Sequence, residues 1–159
     1  MTRLLFVCMG NICRSPIAEG IVRERLRARR LSDWITTDSA GTHDYHVGKA
    51  PDRRAQRLMA GEGIDISDLR ARQVDGFDFE FFDAILAMDE GNYEWLRAEA
   101  PSAQRHRIRP MLSYARTPGV DWVPDPYFGG ESGFRRVHEL IDDAANGLID
   151  AVQTRSTGD

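Results

Sequence analysis

Leu4-Leu5-Phe6-Val7 is a continuous apolar run that stops at Cys8, and Ser15-Pro16 opens a helical pattern shortly afterwards. An apolar run this short reads as a buried strand. Ser15 is placed to cap a helix and Pro16 to occupy its first position, with Ile17, Ile21, Val22 and Leu26 recurring at helical spacing. The intervening Cys8-Met9-Gly10-Asn11-Ile12-Cys13-Arg14 must then be a strand-to-helix turn. Backbone N–H groups, a guanidinium and a helix N-terminus each attract a tetrahedral anion, and a thiolate at Cys8 could attack it. The turn reads as a phosphate cradle.

The rest of the chain repeats the strand-then-helix order. Trp34 to Thr37 reads as a second strand, ended by Asp38-Ser39-Ala40-Gly41-Thr42. A helix after Pro51-Asp52 carries Ala55, Leu58 and Met59 and stops at Gly61-Glu62-Gly63. Phe82 to Met88 is a third strand, a short helix follows from about Gly91 to Ala98, and Arg107 to Leu112 is a fourth, weaker strand. A loop rich in Pro and Gly spans Pro118 to Gly133, and Phe134, Val137, Ile141, Ala145, Leu148 and Val152 mark a long amphipathic helix. Alternation of this kind predicts an α/β fold, a parallel sheet with helices on both faces and ligands bound beyond the carboxyl ends of the strands. No linker divides the chain; residues 1–154 are expected to form one domain and 155–159 a frayed tail.

Composition constrains function mainly by exclusion. At 159 residues, 42% apolar and 29% charged, the chain suits one soluble domain. A net charge of −4 gives no general reason to expect nucleic acid or an acidic membrane as partner. Arg23, Arg25, Arg27, Arg29 and Arg30 make a local basic stretch that fits the solvated face of a helix. No run reaches transmembrane length, and Leu4 to Val7 is too short for a signal-peptide core, so a cytoplasmic protein is expected. Two cysteines, without a second pair, make neither a disulfide scaffold nor a zinc site.

Within the turn each residue type has a physical task. A thiol ionises near pH ~8.5 in water, and a helix N-terminus beside a cation lowers that value. Gly10 permits close backbone approach, Asn11 tolerates a left-handed conformation, and Arg14 can clamp two oxygens with its planar fork. Expelling an alkoxide or phenoxide then calls for a general acid. Asp125, on the proline-stiffened Val123-Pro124-Asp125-Pro126-Tyr127, is the leading candidate, with Asp121 its rival.

Val7-Cys8-Met9-Gly10-Asn11-Ile12-Cys13-Arg14-Ser15-Pro16 resembles the signature of the low-molecular-weight protein tyrosine phosphatases. The resemblance extends through Asp38 to Thr42, Ala71-Arg72-Gln73-Val74, Met88-Asp89-Glu90 and Asp125-Pro126-Tyr127, over nearly the whole chain. It implies a four-stranded parallel sheet flanked by helices and a two-step hydrolysis of phosphotyrosine monoesters without metal or cofactor. Cys8 would attack phosphorus, and Asp125 would protonate the leaving oxygen and then activate water. The resemblance gives Met9 to Cys13 the phosphate cradle. It gives Asn11 the task of holding the loop shape with Ser39, and Ser15 a hydrogen bond to the thiolate. Tyr45, Tyr127 and Phe128 would line the aryl cleft, although the family often has Trp at the first and Tyr at the last.

Leu69 stands where many members have His, so one supporting hydrogen bond would be missing. Tyrosine-phosphorylated proteins would be the substrates, with a bacterial tyrosine kinase among the candidate partners. Arsenate reductases of this fold relay oxidation through later cysteines, and this chain has none after Cys13. Protein-arginine phosphatases carry Thr where this chain has Ile12, whose apolar side chain would crowd a phosphoarginine guanidinium. A phosphate-binding module without activity is the reading from another class. Cys13 either packs the loop or traps oxidised Cys8 as a disulfide.

Overall fold

The computed structural model describes the backbone of residues 1–156. Along the chain come β1 (Thr2–Cys8), α1 (Arg14–Ala28), β2 (Ile35–Gly41), α2 (Arg53–Gly61), α3 (Asp78–Phe81), β3 (Ala84–Ala87), α4 (Glu90–Glu99), β4 (Ile108–Pro110) and α5 (Glu131–Ser156). The strands form one parallel sheet in the order β2-β1-β3-β4. Alternate residues of a strand face opposite sides, and β1 uses this to build two cores. Leu4 and Phe6 pack with α1, α2 and α5, whereas Leu5 and Val7 pack with Phe79 of α3 and Leu96 of α4. The result is a three-layer sandwich, as the alternating pattern predicts.

The short helix α3 has no counterpart in the sequence expectation, and the other differences lie at element boundaries. α1 begins at Arg14, with Cys13 in the cap position and no side-chain cap, so Ser15 is inside the helix and not its cap. Pro16 falls in the first turn, where its missing N–H costs nothing because those donors have no intrahelical partner. β2 does not stop at Thr37 but runs to Gly41, because its register against β1 continues as far as the Cys8–Gly41 pair. The expected loop up to Gly133 is shorter, since α5 starts at Glu131. Residues 155 and 156 of the expected tail belong to α5, and the remainder, 157–159, lies outside the described residues. The basic stretch ties α1 to α5, with Arg25 on Asp142 and Arg29 on Asp150 at 2.8 Å.

Topology selects the position of the site. The chain leaves β1 towards β2 on one side and returns to β3 on the other, so the order reverses beside β1. A crevice opens at the carboxyl end of a strand where the winding switches, and Cys8 is the last residue of β1.

Candidate active site

The turn after β1 curls tightly around its own backbone. Asn11 adopts a left-handed conformation at φ 58°, a geometry from which backbone anion nests are built. Thr42 and His43 donate their N–H groups to the carbonyls of Cys8 and Met9 at 3.0 Å each. Gly41 makes that approach possible, because a Cβ there would lie 2.6 Å from the Met9 carbonyl oxygen.

Asn11 itself is pinned through its side chain. Its Oδ1 accepts from the Arg72 N–H at 3.0 Å, which directs Nδ2 to donate to Ser15 Oγ at 2.8 Å and Ser39 Oγ at 3.0 Å. Ser15 Oγ, relieved of any capping duty, sits 3.0 Å from Cys8 Sγ. Since Ser15 already accepts from Asn11, its own proton is free for the sulfur. A donor there stabilises the thiolate.

Arg14 is buried, at 2% exposure, and its fork is oriented from behind. Nη1 donates to Asp89 Oδ2 at 2.7 Å and to the Val123 carbonyl at 3.1 Å, while Nη2 is 3.8 Å from Asp125 Oδ2. Burial, the largest single influence, opposes the charge, but Cys8, Asp89 and Asp125 together outweigh it and raise the pKa above the ordinary guanidinium value. Asp125 is held by an Asx turn in which Oδ1 accepts the Tyr127 N–H at 3.0 Å.

These groups share a cleft of about 280 Å³. Cys8, Met9, Gly10, Ile12, Cys13 and Arg14 form its floor, and Tyr45, Asp125, Tyr127 and Phe128 its walls. Asn11, Ser15 and Ser39 do not line the cleft; they brace the floor, all being nearly fully buried. Phe128 is 96% exposed, its ring edge-on to Tyr127 at 5.0 Å. Asp121, the rival acid, does not line the cleft. Cys13 is a free thiol whose pKa burial pushes far above the ordinary range, helped by Asp52, Cys8 and Asp125.

Sequence reasoning missed three participants. His46 lines the cleft and reaches towards Tyr127, ring centroids 6.4 Å apart. Asp89 anchors Arg14, and its place in the Met88-Asp89-Glu90 segment carried no hint of that partner. Glu19 accepts from Ser39 at 2.8 Å, and a charged residue on an otherwise buried helix face was the available signal.

The profile of the family described as Low molecular weight phosphotyrosine protein phosphatase matches residues 3–157. The low molecular weight protein-tyrosine-phosphatase of Bacillus subtilis is 39% identical over 153 residues, covering 96% of this chain and 97% of the relative. The human low molecular weight phosphotyrosine protein phosphatase is 39% identical over 137 residues, or 86% of each chain. Among solved structures, a protein tyrosine phosphatase from Entamoeba histolytica superposes with a TM-score of 0.94 at 38% identity, covering 98% of this chain and 99% of that one. With Cys8 and Arg14 standing at the expected places in the loop, the chain belongs to the low molecular weight phosphotyrosine protein phosphatases.

Proposed function

We propose that the chain hydrolyses phosphotyrosine monoesters of proteins through a cysteinyl-phosphate, with Cys8 as nucleophile, Arg14 as phosphate clamp and Asp125 as general acid and then base. The observation that carries this reading is the convergence of the Cys8 thiol, the anchored Arg14 fork and the Asp125 carboxyl on one cleft. In the first step the Sγ–P bond forms as the P–O bond to the leaving group breaks, and the Asp125 proton goes to the departing phenolate. In the second, Asp125 takes a proton from water, whose oxygen displaces sulfur and releases inorganic phosphate. Throughout, Arg14 and the loop N–H groups neutralise charge on the equatorial oxygens.

The aromatic walls support aryl over alkyl esters: Tyr45 and Tyr127 both line the cleft, Tyr45 stacked on His43 at 5.2 Å and Tyr127 tilted against His46 at 6.4 Å, and offer ring faces to a phenyl group. Ile12 on the floor opposes a guanidinium leaving group. Tyrosine-phosphorylated proteins are then the substrate class, a bacterial tyrosine kinase being one fitting partner. No helix among the described residues is long and apolar enough to cross a membrane.

Turnover of p-nitrophenyl phosphate and of phosphotyrosine, phosphoserine and phosphoarginine peptides tests the proposal. Vanadate-sensitive hydrolysis of the aryl esters, lost in Cys8→Ser, is expected. Equal rates on phosphoserine peptides would overturn the aryl specificity, and no wild-type turnover would overturn the activity.

A further inference from the structure

Glu19 is a buried carboxyl that the mechanism does not use. It sits on α1 one turn beyond Ser15, so both project towards β1 and β2. Ser39 of β2 donates its hydroxyl to Glu19 Oε1 at 2.8 Å and accepts from Asn11 Nδ2 at 3.0 Å. The other Nδ2 proton of Asn11 goes to Ser15 Oγ at 2.8 Å, and Ser15 meets Cys8 Sγ at 3.0 Å. We propose that Glu19 is a positioning residue of the cysteine loop, fixing the left-handed Asn11 and governing the reactivity of Cys8 from the far end of this hydrogen-bond chain. The proposal deepens the phosphatase reading and rests on it.

The chain has a definite polarity. Both protons of Asn11 Nδ2 are committed, one towards Glu19 and one towards Cys8. A stronger acceptor on the Glu19 side draws donor strength away from Ser15, and a negative charge there also repels a thiolate directly. Neutral Glu19 and anionic Cys8 are therefore the compatible pair.

Surroundings favour that pair. Burial acts most strongly to keep the carboxyl protonated; Ser39 opposes it, Asp38 of β2 supports it, Arg23 of α1 opposes it and Asp68 supports it, leaving the pKa raised. In the neutral acid, Oε1 still accepts from Ser39, and Oε2, 3.5 Å from Thr37 Oγ1, can carry the proton.

The test is the pH dependence of Cys8 alkylation by iodoacetate, read by mass spectrometry, beside turnover of p-nitrophenyl phosphate, in wild type, Glu19→Gln and Glu19→Leu. Gln is permanently neutral and keeps the acceptor, so the ratio of its alkylation rate to that of wild type should climb about fivefold as pH rises through the ionisation of Glu19. Leu leaves the Ser39 hydroxyl without its acceptor and so frees Asn11 from the position that aligns Ser15 with the sulfur. That loss of anchoring outweighs any gain in donor strength, and both alkylation and kcat should fall about tenfold. A ratio flat with pH, or a Leu variant as fast as wild type, would overturn the proposal. Should Glu19→Leu unfold below assay temperature, Ser39→Ala cuts the chain at its next link and should show the same kcat loss. Alkylation needs no phosphatase chemistry, so absent wild-type turnover would sink the activity and leave this test readable.

Discussion

At the scale of single residues, two similar thiols have been given different fates by their surroundings. Cys8 has Ser15 as a donor at 3.0 Å and Arg14 close by; Cys13 has burial and carboxylates that keep its proton in place. Iodoacetate at neutral pH should therefore modify Cys8 alone, and peptide mapping that found Cys13 equally labelled would refute this. Once peroxide oxidises Cys8 to a sulfenic acid, the Cys13 thiol on the same cleft floor can condense with it, losing water and forming a disulfide. Thiol-reversible inactivation is expected in wild type, and poorer recovery in Cys13→Ser; equal recovery would remove that role. Asp125→Asn should lower kcat/KM, which reports the step that expels the leaving group, for a poor leaving group such as phenyl phosphate by about 10²–10⁴-fold, and for p-nitrophenyl phosphate less. A uniform loss across leaving groups would argue against proton donation.

At the scale of elements, Asp89 links helix formation to chemistry. Its Oδ1 caps α4 by accepting the Asn92 N–H at 2.7 Å, the Asn92 side chain answers at the Asp89 N–H, and its Oδ2 holds Arg14. Asp89→Asn keeps a capping oxygen and loses the ion pair; Asp89→Ala loses both. Both variants should lose about tenfold or more in kcat/KM, but only Ala should add the ~1 kcal/mol of a lost cap in urea unfolding. Equal stability of the two would show that the cap carries no weight. The seat of α5 on the 3-10 turn Met111–Tyr114 depends on Gly147, where a Cβ would stand 2.2 Å from the Tyr114 carbonyl oxygen. Gly147→Ala should cost about 1–3 kcal/mol despite the better helix propensity of Ala, through overpacking at that contact. The expectation of a Ser15 cap failed at this scale too. The helix starts at Arg14 because the loop already turns there, and the hydroxyl is drawn to sulfur.

At the scale of the whole molecule, the buried carboxyl of Glu19 makes stability depend on pH. Its folded pKa lies above that of an unfolded glutamate, so folding favours the protonated form. The contribution is complete below the ordinary carboxylate range and is lost as pH rises through the raised value. Thermal unfolding across that window should show wild type losing Tm relative to Glu19→Gln as pH rises; a constant difference would exclude the linkage. Arg72 joins three parts of the molecule, meeting Asp38 of β2 at 3.1 Å and Asp78 of α3 at 3.0 Å while its N–H fixes Asn11. Strand edge, helix and catalytic loop thus share one residue.

Much of this was legible in the chain because it is encoded over short distances. The apolar run ending at Cys8, the helical spacing of Ile17 to Leu26 and the Asp52 and Gly63 punctuation of α2 are local patterns, and periodicity of 2 or 3.6 residues reveals them directly. Cys8 and Arg14 were nameable because a phosphate-binding turn needs those residue types, whereas Asp125 was separated from Asp121 only by the family resemblance. Tertiary structure alone decided which groups brace them. Asp89 reaches Arg14 across 75 positions and Ser39 reaches Asn11 across 28, distances over which no periodicity runs. Only the order β2-β1-β3-β4, which sets the strands side by side, brings Glu19, Ser39 and Asn11 into one hydrogen-bonded line behind the nucleophile. Buried polar groups must find partners wherever packing places them, and that search is settled by the fold.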